Sequence, residues 1–147
     1  MKLAKALVLV FVLSSFAFMP TCSAIGDKVR AFVGQALEIT SGFDRPIIGG
    51  DVRKAEELYQ EYKGIYDGLQ QFLANPPQNT WREEINCVSY AGTIVNLRRA
   101  TLLDYIIMVE AYQAGRTEDY NKMLKVLHQD YDDATYHRRE FKKKYGF

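Results

Sequence analysis

Apolar side chains recur at helical spacing along this chain, in four stretches separated by strong breaks. From Asp27 to about Thr40, Val29, Phe32, Val33, Ala36 and Leu37 share one helix face. Ser41-Gly42, Pro46 and Gly49-Gly50 interrupt the pattern, and Asp51 is placed to cap a second helix reaching about Ala74. Asn75-Pro76-Pro77 stops that helix, because proline has no amide to donate and restricts the residue before it. Thr80-Trp81-Arg82-Glu83 has capping-box spacing and opens a third helix of about 32 residues, which Gly115 ends. Thr117 then caps a fourth, with Glu118 and Asp119 in its first turn, running almost to Gly146.

The apolar seams predict how these helices pack. In the second, Val52, Ala55, Tyr59, Tyr62, Tyr66, Leu69 and Leu73 alternate steps of three and four, the spacing of a left-handed bundle contact. The fourth repeats it from Tyr120 through Leu127, Tyr131, Ala134 and Phe141 to Tyr145. The third carries two such stripes, one through Val88, Val95 and Leu102, the other through Cys87, Ile94 and Met108. A helix apolar on two sides belongs in the middle, and short connections make its neighbours antiparallel. The expected fold is therefore all-α, an up-and-down antiparallel bundle of about four helices.

Folding the helices back on each other gives a crude pairing. About the Pro-Pro turn, Tyr62 falls opposite Gly92 and Ala55 opposite Arg99, so Leu in place of Gly92 is expected to overpack by about 1 to 3 kcal/mol. About Gly115, Arg138 falls opposite Gly92 and Tyr131 near Arg99.

The first two dozen residues read as an address. Lys2 and Lys5 precede an apolar run from Ala6 to Met19, and Cys22-Ser23-Ala24 supplies the small residues a signal peptidase reads. That run is shorter than the roughly 20 residues a spanning helix needs, and no later segment qualifies. The expected organisation is a signal peptide over 1–24 and a helical domain over 25–147, secreted or periplasmic. Cleavage after Ala24 leaves Cys87 alone, as a buried thiol; cleavage after Ala17 keeps Cys22, which could then pair with it. A third option is Cys22 as a lipidated first residue, against which Pro20-Thr21 is a poor match.

Charge and chemistry narrow the function classes. Nineteen basic against 18 acidic side chains give a balance that offers nucleic acid no counterion-releasing excess. No phosphate-binding glycine loop, Gly-x-Ser-x-Gly or paired Cys/His nucleophile occurs, so catalysis is not expected. No cofactor or metal is expected either: His128 with Asp132 and His137 with Asp133 stand four residues apart, a spacing that suits surface ion pairs, and no third ligand accompanies them.

Seven residues stand out as candidate ligand or partner contacts. Arg99, Asp104 and Arg138 are charges at seam positions, which must be paired, hydrated or turned to a pocket. Tyr62 and Tyr131 could line such a pocket with them. Gly64 and Gly68 each cost their helix about 1 kcal/mol relative to alanine, which either close approach of the first helix or a partner's backbone would justify. Arg138, Arg139, Lys142, Lys143 and Lys144 complement the last helix's dipole and offer a short contact for an anionic surface. The reading is an exported helical interaction protein that acts by occupying a protein partner, as an inhibitor, immunity or neutralising protein, chaperone or secretion accessory does. The alternative is a small-ligand carrier with a pocket around Tyr62, Arg99 and Tyr131.

Overall fold

The computed structural model describes residues 25–40 and 51–147. The expected leader with Cys22, and the connection over 41–50, lie outside the described residues. Four helices follow in order: α1 (Asp27–Ile39), α2 (Val52–Ala74), α3 (Arg82–Gln113) and α4 (Thr117–Tyr145). The fold is all-α, as the periodicity requires. Each of the other three helices packs on α3, whose buried residues spread round much of its circumference, from Cys87 and Val88 through Ile94 and Val95 to Leu102 and Met108. Two apolar stripes on one helix thus have the physical consequence expected of them. Among the described residues, no helix is long and apolar enough to cross a membrane.

The core has two lobes along α3. One gathers Val29, Val33, Ala36 and Leu37 of α1 with Leu69, Cys87, Ala91 and Phe141. The other holds Ala55, Tyr62, Leu102, Tyr105, Ile106 and Leu127. In α2 only Ala55, Tyr62 and Leu69 are buried, one residue every seven, with Tyr59 and Tyr66 half-buried beside them. Cys87 is fully buried, and that burial pushes its thiol up to about 12. It is the inert form of a cysteine.

Of the three expected caps, one holds and two move by a residue. Asp51 caps α2 as expected, its Oδ1 accepting from Lys54 N at 3.1 Å. Thr80 does not cap α3: its hydroxyl donates to Pro77 O at 2.6 Å, and Trp81 takes the cap position. Glu84 then reaches back to accept from Trp81 N at 2.9 Å, the second half of a capping box moved one residue on. At α4 the cap is Arg116, paired with Asp119 at 3.0 Å, rather than Thr117. Gly115 and Gly146, both left-handed at φ 70° and 68°, terminate α3 and α4 where alanine would be strained.

The α3–α4 pairing lies where the fold about Gly115 puts it, since Arg98 stacks on Tyr131 at 5.0 Å and Tyr90 meets His137. The α2–α3 pairing does not. Arg99 lies over Tyr66 at 4.9 Å, and Gln70 rather than Tyr62 faces Gly92. The helices are displaced by about two turns from the pairing expected of a tight Pro-Pro turn. The cause is the connection: residues 75–81 are not a tight turn but a longer segment, with Asn79 left-handed at φ 68°. The expected clash with Tyr62 at Gly92 is therefore absent. A Cβ there meets Gln70 Nε2 at an ordinary 3.6 Å, so Gly92→Ala is expected to raise stability by about 0.5 to 1 kcal/mol through helix propensity. Urea midpoints of the two proteins check it, and a destabilised variant would contradict it.

Candidate functional site

The residues singled out from the sequence do not converge on one pocket. Tyr62 is fully buried, its hydroxyl donating to Ile39 O at 3.4 Å at the end of α1. Arg99 faces α2, donating to Asn96 Oδ1 at 2.8 Å with its guanidinium over the Tyr66 ring. Tyr131 belongs to α4 and lies under Arg98, not Arg99. Arg98, 5% exposed, is the buried arginine of the seam, with Nη2 donating to Thr135 Oγ1 at 3.3 Å. Two adjacent arginines on a helix point about 100° apart, and where apolar stripes occupy two sides, periodicity assigns the wrong one to the α4 seam.

Gly64 and Gly68 have no atom of another described element within 4 Å of where a Cβ would stand. Close approach of α1 does not account for them. Arg138 is half-buried, whereas Arg139 and the three lysines are exposed. The basic end is partly neutralised by Glu140, which accepts from Lys143 at 2.8 Å and lies 3.7 Å from Arg139. His137 turns across the seam to Tyr90, Nδ1 to Oη 3.2 Å, instead of to Asp133.

Asp104 does find a counterpart, and an unexpected one. Its carboxyl is hydrogen-bonded to Asp130 across the α3–α4 seam. Burial, then that hydrogen bond, then the charge of Asp130 push Asp104 up to about 6 from an ordinary 3.8. Two carboxyls held together share a proton readily and would be relieved by a cation.

Beside this pair runs the part of α3 that no other described helix covers. Its exposed positions Asn86, Ser89 and Thr93 are polar in the first half, but Leu103 and Ile107 in the second half are apolar and 42% and 37% exposed. Half-buried Ala100 continues the strip one turn back, and Val126, 37% exposed, stands on α4 one turn from Asp130. Arg99 with Tyr59 and Tyr66 bounds the strip on the α2 side, and Asp104 with Asp130 bounds it on the α4 side. The sequence carried a signal for it: Ala100, Leu103 and Ile107 are apolar at helical spacing yet belong to neither seam of α3.

A separate cleft of about 500 Å³ opens where α1, the end of α2 and the 77–80 segment meet. Phe32 and Phe72, stacked with centroids 5.9 Å apart, form its apolar wall. Among the described residues no three His, Cys, Asp or Glu side chains converge as a metal site would require. Comparison with known protein families, with curated proteins and with solved structures finds no match for the chain.

The acid pair gives a pH prediction with a definite sign. Between about pH 4 and 6 the folded chain keeps a proton on Asp104 that the unfolded chain releases. Stability therefore falls as pH rises through that window and levels off above it. Water reaches the pair, so the effect is about 1 kcal/mol rather than what dry carboxylates would show. Asp104→Asn should flatten the window and gain about that much at pH 7, read from urea midpoints at pH 4, 5, 6 and 7. An unchanged slope would contradict the pairing.

Proposed function

We propose that the protein is exported after removal of residues 1–24 and acts by binding, not catalysis, with the strip of α3 around Leu103 and Ile107 as its contact for a partner helix. The observation that supports this is the meeting of exposed apolar side chains on the central helix with a strained carboxyl pair at their edge. An amphipathic helix laid along the strip would bury its apolar face on Ala100, Leu103 and Ile107. A Lys or Arg on its flank would relieve the charge of Asp104 and Asp130, so the partner that fits is a basic amphipathic helix. Inhibitor, neutralising and chaperone proteins all work through contacts of this kind.

The test uses a synthetic Leu/Lys amphipathic helix, and the same helix with Glu for Lys, in calorimetric titration. The basic helix is expected to bind, more weakly at pH 5 than at pH 7 because Asp104 is then protonated. Leu103→Glu with Ile107→Glu should weaken it at least tenfold, about 1.4 kcal/mol. Equal binding of the acidic helix, or binding indifferent to the double substitution, would overturn the assignment.

A further inference from the structure

Glu84 is a carboxylate buried at 8% exposure in the first turn of α3. Both hydrogen bonds it accepts come from neutral backbone amides, Oε2 from Trp81 N and Oε1 from Gly26 N, each at 2.9 Å. No ion pair joins it among the described residues, yet a buried anion gains most from a cation. The chain reaches it from the N-terminal side in close contact. Ile25 is buried at 7%, and a Cβ at Gly26 would stand 2.9 Å from Glu84 Oε1, so a side chain there would make the carboxylate shift.

The residue before that glycine, Ile25, is where the sequence places the start of the mature chain. We propose that hydrolysis of the Ala24–Ile25 bond creates an α-ammonium that docks on Glu84 as the cation of this buried carboxylate, so that maturation itself tightens the fold. This rests on the reading of residues 1–24 as a cleaved leader. A peptidase supplies the cut, and one water is consumed. Its oxygen goes to the carbonyl carbon of Ala24, which leaves as a carboxylate, and the Ile25 nitrogen gains the protons that make it an ammonium at pH 7. Consecutive Cα atoms are about 3.8 Å apart, so the nitrogen of Ile25 is within a residue's length of an amide already bonded to Glu84. In the uncut chain the same nitrogen is a neutral amide. The precursor is then the less stable form.

The same pair ties α1 to the start of α3, next to the cleft that Phe32 and Phe72 wall. On the alkaline side its strength is set by the ammonium. An α-ammonium whose pKa is raised in the folded state contributes fully below its unfolded value and loses its contribution as pH climbs through the folded one.

The experiment has two parts. Intact mass of the protein exported through its own leader establishes the first residue, and a start other than Ile25 overturns the cleavage reading. Then the form beginning at Ile25 is compared with one that keeps Ala24, each with Glu84 and with Glu84→Gln. Retaining Ala24 is expected to lower Tm by about 5 °C with Glu84 present and to change nothing with Gln. An equal loss in both backgrounds overturns the ion pair while leaving the cleavage reading intact. NMR titration of the Ile25 α-amino group needs no variant: it should titrate well above the usual range, and an ordinary value contradicts the pair.

Discussion

Phe141→Ala should cost about 4 kcal/mol of unfolding free energy. The side chain is fully buried, and its ring lies 5.5 Å from Tyr90, 4.8 Å from Tyr145 and 5.1 Å from Phe147. It is the hub of an aromatic cluster that joins α3 to the end of α4 and through it to α1. Phe147 stands 3.6 Å from where a Cβ on Gly34 would be, and its ring underlies the Arg30 guanidinium. Arg30 in turn donates to the carbonyls of Tyr145 and Gly146 at 3.2 and 3.0 Å, closing the C-terminal end of α4 with a cation. Truncating the ring leaves a cavity among groups that cannot all relax into it, and it loosens α1's attachment. Urea unfolding measures the loss, and a cost below about 2 kcal/mol would show that α1 and α4 are held by other means.

Tyr62→Ala is expected to cost nearly as much, about 4 kcal/mol. Tyr62 is the largest fully buried side chain of the second core lobe, between Ala55 and the Leu102 and Ile106 stretch of α3. Its position on α2 matters as much as its size, because the buried residues of that helix come only every seventh position. Few other side chains could close the gap. Tyr112, 71% exposed at the end of α3, gives the contrast. Alanine there should change stability by less than about 0.5 kcal/mol. Similar costs for the two tyrosines would mean that the α2 seam is placed wrongly.

What was legible in the sequence was whatever depends on periodicity alone. The alternation of three and four from Ala55 to Leu69 named the buried residues of α2, and two stripes on one helix located α3 at the centre. The α3–α4 register was legible too, because Gly115 makes a short reversal and leaves little freedom. The α2–α3 register was not, since two prolines stop a helix without fixing the length of the connection to the next one. The candidate site was less legible still. Asp104 was visible as a charge out of place, but its partner Asp130 lies on another helix and obeys no spacing rule. Arg99 was placed beside Tyr131 where Arg98 lies, because each arginine falls beside a seam when seams occupy two sides. Glu84 was not singled out at all, because the amide of Gly26 that bonds it comes from far along the chain and follows no spacing rule.

The covered and uncovered sides of α3 also account for the uneven distribution of aromatic residues. Tyr62, Tyr105 and Tyr145 are buried, while Trp81, Tyr112 and Tyr136 are exposed and scattered over different ends of the molecule. Exposed single rings of that kind need no partner. The strip of Ala100, Leu103 and Ile107 differs in lying on the central helix beside an acid pair, which gives it direction as well as apolar area.

The most direct test of that assignment is chemical-shift mapping of the 15N-labelled protein with the basic amphipathic helix at pH 7. The largest changes are expected on residues 99–107 of α3 and 126–130 of α4, with α1 and the face of α2 at Gly64 and Gly68 unmoved. Changes centred on α1, on Gly64 and Gly68, or on the basic end of α4 would contradict it.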